Sequence, residues 1–145
     1  MAFTLVKDPN DTQTLLLPIS SNAVALGDMI ELDVGAVAWT DADSATEHWQ
    51  KKAVAIETVT SSATYVKAIP VMPGQMWEAT STNNSAVADN GDRMVLSSTS
   101  AVNNTGTDST AEEAVFLQYN AIGTNTDKKI LGEIVFGSGV NPDAS

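Results

Sequence analysis

The stretch GDMIELDVG, Gly27 to Gly35, sets the reading of the chain. A Gly-Asp turn opens it and a glycine closes it. Between them Met29, Glu31 and Asp33 alternate with Ile30, Leu32 and Val34, the two-residue period of a half-buried strand. A helix would bring its apolar residues back at spacings of three and four instead.

The same texture recurs on either side. KAVAIETVT, Lys52 to Thr60, puts Val54, Ile56 and Thr58 on one face of a strand. TYVKAIPVM leads through Pro73–Gly74, a pair suited to a type II turn, into QMWEAT, where Trp77 is expected in the core. In AVADNGDRMVL, Asn90–Gly91 predicts a type I′ hairpin between Ala86–Asp89 and Asp92–Leu96. Ser97 to Glu113, SSTSAVNNTGTDSTAEE, reads as an exposed low-complexity loop. AVFLQYNAIG and KKILGEIVFG are two further strands joined by GTNTDK. The one helical candidate is SATEHWQKKA, Ser44 to Ala53, with Ser44 and Glu47 spaced as a capping box. No internal repeat stands out. The expectation is an all-β chain: a small β-barrel or β-sandwich-like domain of about seven to eight short strands over residues 25–137. It has an extended N-terminal arm, 1–24, before it and a flexible tail, 138–145, after it.

The arm holds two apolar patches, FTLV and LLLPI, separated by KDPNDTQT. Pro18 argues against a central strand or a helix interior. The burial available from Phe3, Leu5, Leu15, Leu16, Leu17 and Ile19 falls short of the entropy of ordering some twenty residues. The arm is therefore expected to be loose unless strand pairing or a partner surface adds to that burial. LLLPI also reads as a possible first core strand.

The totals exclude more than they prove. The 145 residues carry a net charge of −11, with 18 acidic side chains against 7 Lys and Arg. Such a chain lacks the basic stripe of a nucleic-acid binder and is repelled by an anionic membrane. With no cysteine, disulfides, Cys-based zinc sites and thiol nucleophiles are out. The opening MAFTLVKDPND has no apolar stretch of signal-peptide length, so the expectation is a chain made in a cytoplasm.

Chemistry-bearing residues are sparse. His48, in TEHWQKK, is the one histidine, and no nucleophile elbow accompanies it. DADSATE, Asp41 to Glu47, spaces three carboxylates near one another but lacks the glycine and the twelfth-position glutamate of an EF-hand loop. Glu112–Glu113 and Asp89–Asp92 read as solvated acidic pairs. The GSG at Gly137–Gly139 is not followed by a helix, so it cannot cradle a phosphate. Asn10, Asn83 and Asn103 match the glycosylation triplet, a pattern common by chance in such a composition. The expectation is no enzyme and no cofactor. Trp39 and Trp49 flank the acidic loop, where exposed rings would serve an interface or stack on sugars.

The order of these segments carries a resemblance. An apolar arm, a GD turn into a strand, KAVAIETVTS, IPVMPGQMWEAT, a Ser/Thr/Asn-rich region with NG, a VFL strand and DKKILGEIVF together resemble the small decoration, or cement, proteins on the heads of tailed bacteriophages. The likeness spans roughly residues 25 to 137. It implies a virion structural protein, a homotrimer at threefold and quasi-threefold positions on the outer capsid surface. Such a protein bridges neighbouring capsomers of the major capsid protein and stabilises the expanded shell, without catalysis. The expected contact residues are Phe3, Leu5, Leu15, Leu17 and Ile19 in the arm, then Trp39 and Trp49. The rival readings are a carbohydrate- or receptor-binding β module of a tail fibre, using Trp39 or Trp49, and a small hydrolase acting through His48.

Overall fold

The computed structural model describes residues 2–20, 22–105 and 112–142. Its described residues form eleven strands and two single 3-10 turns. The strands are β1 (Phe3–Lys7), β2 (Leu15–Pro18), β3 (Met29–Leu32), β4 (Thr40–Asp41), β5 (Lys51–Ala55), β6 (Tyr65–Pro70), β7 (Met76–Thr80), β8 (Arg93–Ser98), β9 (Ala101–Asn103), β10 (Phe116–Ile122) and β11 (Lys129–Ile134). All-β is therefore right, and the strand number is higher than expected. They build a six-stranded sheet, β1-β7-β11-β10-β8-β9, and a five-stranded sheet, β2-β6-β5-β3-β4. Every pair within the ladders is antiparallel.

The five-stranded sheet curls until its outer strands meet, at a parallel bridge between Ile19 and Trp39. Its concave face encloses one core of small and β-branched residues, with Leu17, Ile19, Val24, Ile30, Ala53, Ala55, Val66 and Ala68 buried together. The opposite face supplies Met29, Val54 and Val71 to a second core, shared with Phe3, Trp77, Met94, Leu96, Phe116 and Ile130 of the six-stranded sheet. Residues Met29 and Ile30 thus point into different cores, and Ala53, Val54 and Ala55 are all buried. A strand covered on both faces loses its alternation. GDMIELDVG is a strand as expected, but not a half-buried one.

The two sheets share a plan that is not evident in the sequence. Without β1, the six-stranded sheet runs first, fifth, fourth, second, third in chain order from β7, and the five-stranded sheet runs the same way from β2. The Ile19–Trp39 bridge has its counterpart in a parallel bridge from Ser81 to Val102. Hydrogen bonds repeat as well. Gly27 N donates to Ala55 O (2.9 Å) as Gly91 N does to Gln118 O (2.8 Å), and Ala55 N to Asp28 O (2.9 Å) as Gln118 N to Asp92 O (3.1 Å). Val71 N to Lys52 O (3.0 Å) is matched by Val135 N to Val115 O (2.8 Å). Gly27 and Gly91 both have positive φ, 90° and 88°, which keeps glycine at both turns. The trace in the sequence is short: GDMIEL against GDRMVL. Residues 15–71 and 76–135 are two copies of one five-stranded unit.

Several local expectations change. In the N-terminal segment the condition set for its ordering is met, and LLLPI forms a strand, Leu15–Pro18. β1 pairs with β7 and β2 with β6, so backbone pairing supplies what side-chain burial alone could not. Ser44 to Ala53 is not helical. Lys51–Ala55 is instead a strand between β3 and β6, and the preceding turn is held by Asp43 N to Thr46 Oγ1 (2.9 Å) and Glu47 N to Gln50 Oε1 (2.7 Å). At Asn90–Gly91 the turn is type II rather than I′, because Asn90 has φ −61° and ψ 132°. Val87–Asp89 before it is a 3-10 turn, not a strand. The Ser97–Glu113 region contains the end of β8 and all of β9; its residues 106–111, like 143–145 of the expected tail, lie outside the described residues.

Candidate functional site

An exposed apolar surface gathers where the first unit meets the segment after β11. The β3–β4 connection, DVGAVAW (33–39), projects from the first unit, with Val34 exposed and Val37 92% exposed. Trp49, half-buried, lies beside it, and the segment after β11 crosses over Trp49. That crossing requires a glycine: a Cβ on Gly137 would stand 1.8 Å from Gln50 O. Gly139 N then donates to Trp49 O at 2.8 Å, and Lys51 Nζ sits 4.4 Å from the centre of the Phe136 ring. Val34, Trp49 and Val140 line an apolar cleft of about 400 Å³. The indole N–H of Trp49 donates to the Glu47 carboxylate, which fixes the ring at the rim.

His48, next to Trp49 in the chain, lines a polar cleft of about 210 Å³ with Arg93, Glu112 and Glu133 on its walls. His48 N donates to Glu112 O at 2.7 Å, so the backbones of the two loops are tied. Tyr119 Oη donates to Glu133 Oε2 at 2.7 Å, and this bond to a carboxylate pushes the phenol up to about 12. Ser138 shares a third cleft with His48, and its hydroxyl accepts from Val140 N at 3.1 Å.

Beneath this surface Glu31 and Lys52 face each other across β3 and β5, both buried. Lys52 Nζ donates to His48 O (3.0 Å) and Gln50 O (2.8 Å), fastening the 42–50 loop to the sheet. Burial brings its ammonium down to about 8, and the Glu31 carboxylate opposes that fall. Burial also raises Glu31, whose Oε2 has no hydrogen-bond partner.

The expected contact residues divide. Phe3 is buried, its ring 6.4 Å from Phe116, and Leu5 packs on the same core. Leu17 and Ile19 are buried in the other core, and Trp39 packs against it at the sheet closure. Leu15 and Trp49 reach the surface. Val34, Val37, Phe136 and Val140 were not singled out in the sequence, although the uninterrupted apolar run GAVAW between a glycine turn and a threonine was visible there. The DADSATE carboxylates do not converge. Asp41 accepts from Asn22 Nδ2 (3.3 Å), Asp43 from Ala45 N (2.8 Å), and Glu47 from Trp49. Among the described residues no group of three or more His, Asp or Glu side chains is placed to hold a metal ion, and no helix is long and apolar enough to cross a membrane. No protein-family model, curated protein or solved structure matches this chain.

Proposed function

We propose that this chain is a non-enzymatic virion structural protein that binds the outer surface of an icosahedral phage head. It bridges neighbouring capsomers and stabilises the expanded shell. The observation that carries this reading is the exposed apolar surface of Val34, Trp49, Phe136 and Val140, with Val37 exposed on the same loop as Val34. Isolated exposed apolar residues are ordinary, but a contiguous group on a rigid scaffold marks an interaction site. The order of sequence segments supports a capsid partner, and the net charge of −11 suits an outer surface that does not compete for the genome. As a homotrimer at threefold and quasi-threefold positions, three such surfaces would each meet a different capsomer, and linked weak contacts multiply.

The test is the copy number of this chain in purified virions relative to the major capsid protein. A ratio near one-to-one, with the chain rebinding to stripped heads and Val37→Asp/Trp49→Ala failing to rebind, supports the proposal. A few copies per particle would move the chain to a tail or fibre. Absence from virions would overturn the reading. Trp49 beside the Glu47 carboxylate at a cleft rim also fits a sugar-binding site, for which the readout is saturable quenching of Trp49 fluorescence by a glycan.

A further inference from the structure

The repeated unit shows what one of its edges accepts. β2 and β7 hold the same place in their units: Leu17 stands opposite Val66 on β6 as Ala79 stands opposite Ile130 on β11. The other side of β7 carries β1, antiparallel, with Phe3 opposite Ala79, Thr4 opposite Glu78 and Leu5 opposite Trp77. Thr80 N adds a bond to Ala2 O at 3.2 Å. Among the described residues the matching side of β2 has no such strand. At its far end Trp39 N donates to Pro18 O at 2.8 Å.

That open edge is not protected in the usual way. Exposed edges are blunted by charge, proline or a bulge. Pro18 blunts one end, but Leu16, in the position of Glu78, is 61% exposed and Leu15 is 45% exposed. On the face of the sheet beside that edge, a cleft of about 460 Å³ lies over β2 and β6, lined by Thr14, Leu15, Leu16, Ile56 and Lys67. Lys67 lies directly across from Leu16, so the cleft is apolar with one cationic wall.

We propose that the Thr14–Leu17 edge of β2 is a strand-acceptor site. It takes, antiparallel, an extended segment of a partner protein with apolar residues at alternate positions and an acidic or neutral residue between them. β1 is the template. Phe-Thr-Leu places its two apolar residues opposite the positions that Leu17 and Leu15 hold in the first unit. β1 itself is engaged on β7, so the occupant comes from another protein. Backbone hydrogen bonds supply affinity in this mode and alternate side chains supply selectivity. Lys67 adds a preference for a carboxylate over the Leu16 position. The inference rests on the binding-protein reading, under which the shell protein donates the segment.

The probe is a capped peptide with the sequence of residues 2–8, AFTLVKD, and a second with glutamate in place of its threonine. Each is titrated to millimolar concentration against the isotope-labelled full chain, with backbone amide shifts as readout. Shifts centred on Leu15–Leu17, Ile56 and Lys67 are expected, with tighter binding of the glutamate peptide. Leu16→Pro removes the edge N–H and is expected to weaken binding at least tenfold. If the proline variant does not fold, Leu16→Glu, whose side chain is already in solvent, sets a like charge opposite the glutamate of the second peptide and is expected to reverse the preference between the two peptides. The absence of shifts at millimolar peptide, or shifts confined to Met76–Thr80 where the peptide merely displaces β1, would overturn the proposal. The virion copy number is independent of this titration, so failure of one does not stand for failure of the other.

Discussion

Raising the pH from 8 to 10 should stabilise this protein, against the usual trend for an acidic chain. The cause is Lys52, buried under the 42–50 loop, with its ammonium brought down from 10.5 to about 8. Between those values the unfolded chain binds more protons at this position than the folded one, so stability rises with pH. The burial penalty is present in full below pH 8 and is relieved as pH approaches 10.5. A shift of that size corresponds to about 2–4 kcal/mol at 1.36 kcal/mol per unit. Neutral Lys52 still donates to His48 O and Gln50 O, so the loop keeps its fastening as the charge is lost. Above pH 10 Tyr119 works in the opposite direction: its folded value is raised to about 12, so its contribution is lost as pH climbs through that value. The assay is urea unfolding at half-unit steps from pH 7 to 10, with Lys52→Met as control. The wild type should gain stability over the window and the methionine variant should not. A flat or falling wild-type profile, or the same rise in Lys52→Met, would refute the assignment.

Three further outcomes follow from the geometry. Gly137→Ala sets a methyl against Gln50 O and should release residues 136–142 from Trp49 while both units stay folded, seen as a red-shifted Trp49 emission and faster amide exchange at Gly139. Trp77→Ala empties a fully buried position and should lower stability by about 3–5 kcal/mol in urea unfolding. Glu133→Gln removes the carboxylate that accepts from Tyr119, and ultraviolet titration should find the phenol moved from about 12 back towards its ordinary range.

The strands were legible because short apolar runs bounded by Gly, Pro and Asn turns have few other ways to fold. β6, β7, β10 and β11 fall where alternation and turn chemistry put them. The misreadings have local causes. SATEHWQKKA carries a helix-start pattern, but its second half is recruited as a strand between two neighbours, and burial of Ala53 and Val54 outweighs an exposed capping box. The first 24 residues look loose because only their side chains can be counted in a sequence. Their partners, β7 and β6, lie some fifty residues or more downstream, and no local pattern announces such a pairing. The expected contact residues suffered from the same blindness. Apolar character marks Phe3, Leu17 and Ile19, but whether it faces a partner or the chain's own core is decided by long-range register.

The duplication separates the two cases. Where the units agree, as at the Gly27 and Gly91 turns, the shared residues answer to the fold. Where they differ, the fold gives no reason for the difference. In the second unit Thr99 and Ser100 suffice to turn β8 into β9. The first unit spends residues 33–39 on the same connection and exposes Val34 and Val37 there. Likewise β7 carries a covering strand and β2 does not. A longer loop adds closure entropy, and exposed valines and an open apolar edge favour aggregation. The second unit shows that the same architecture forms without any of them. The proposed capsid contact and strand-acceptor site are the account offered for both departures, and the Val37→Asp/Trp49→Ala rebinding and the peptide titration test them separately.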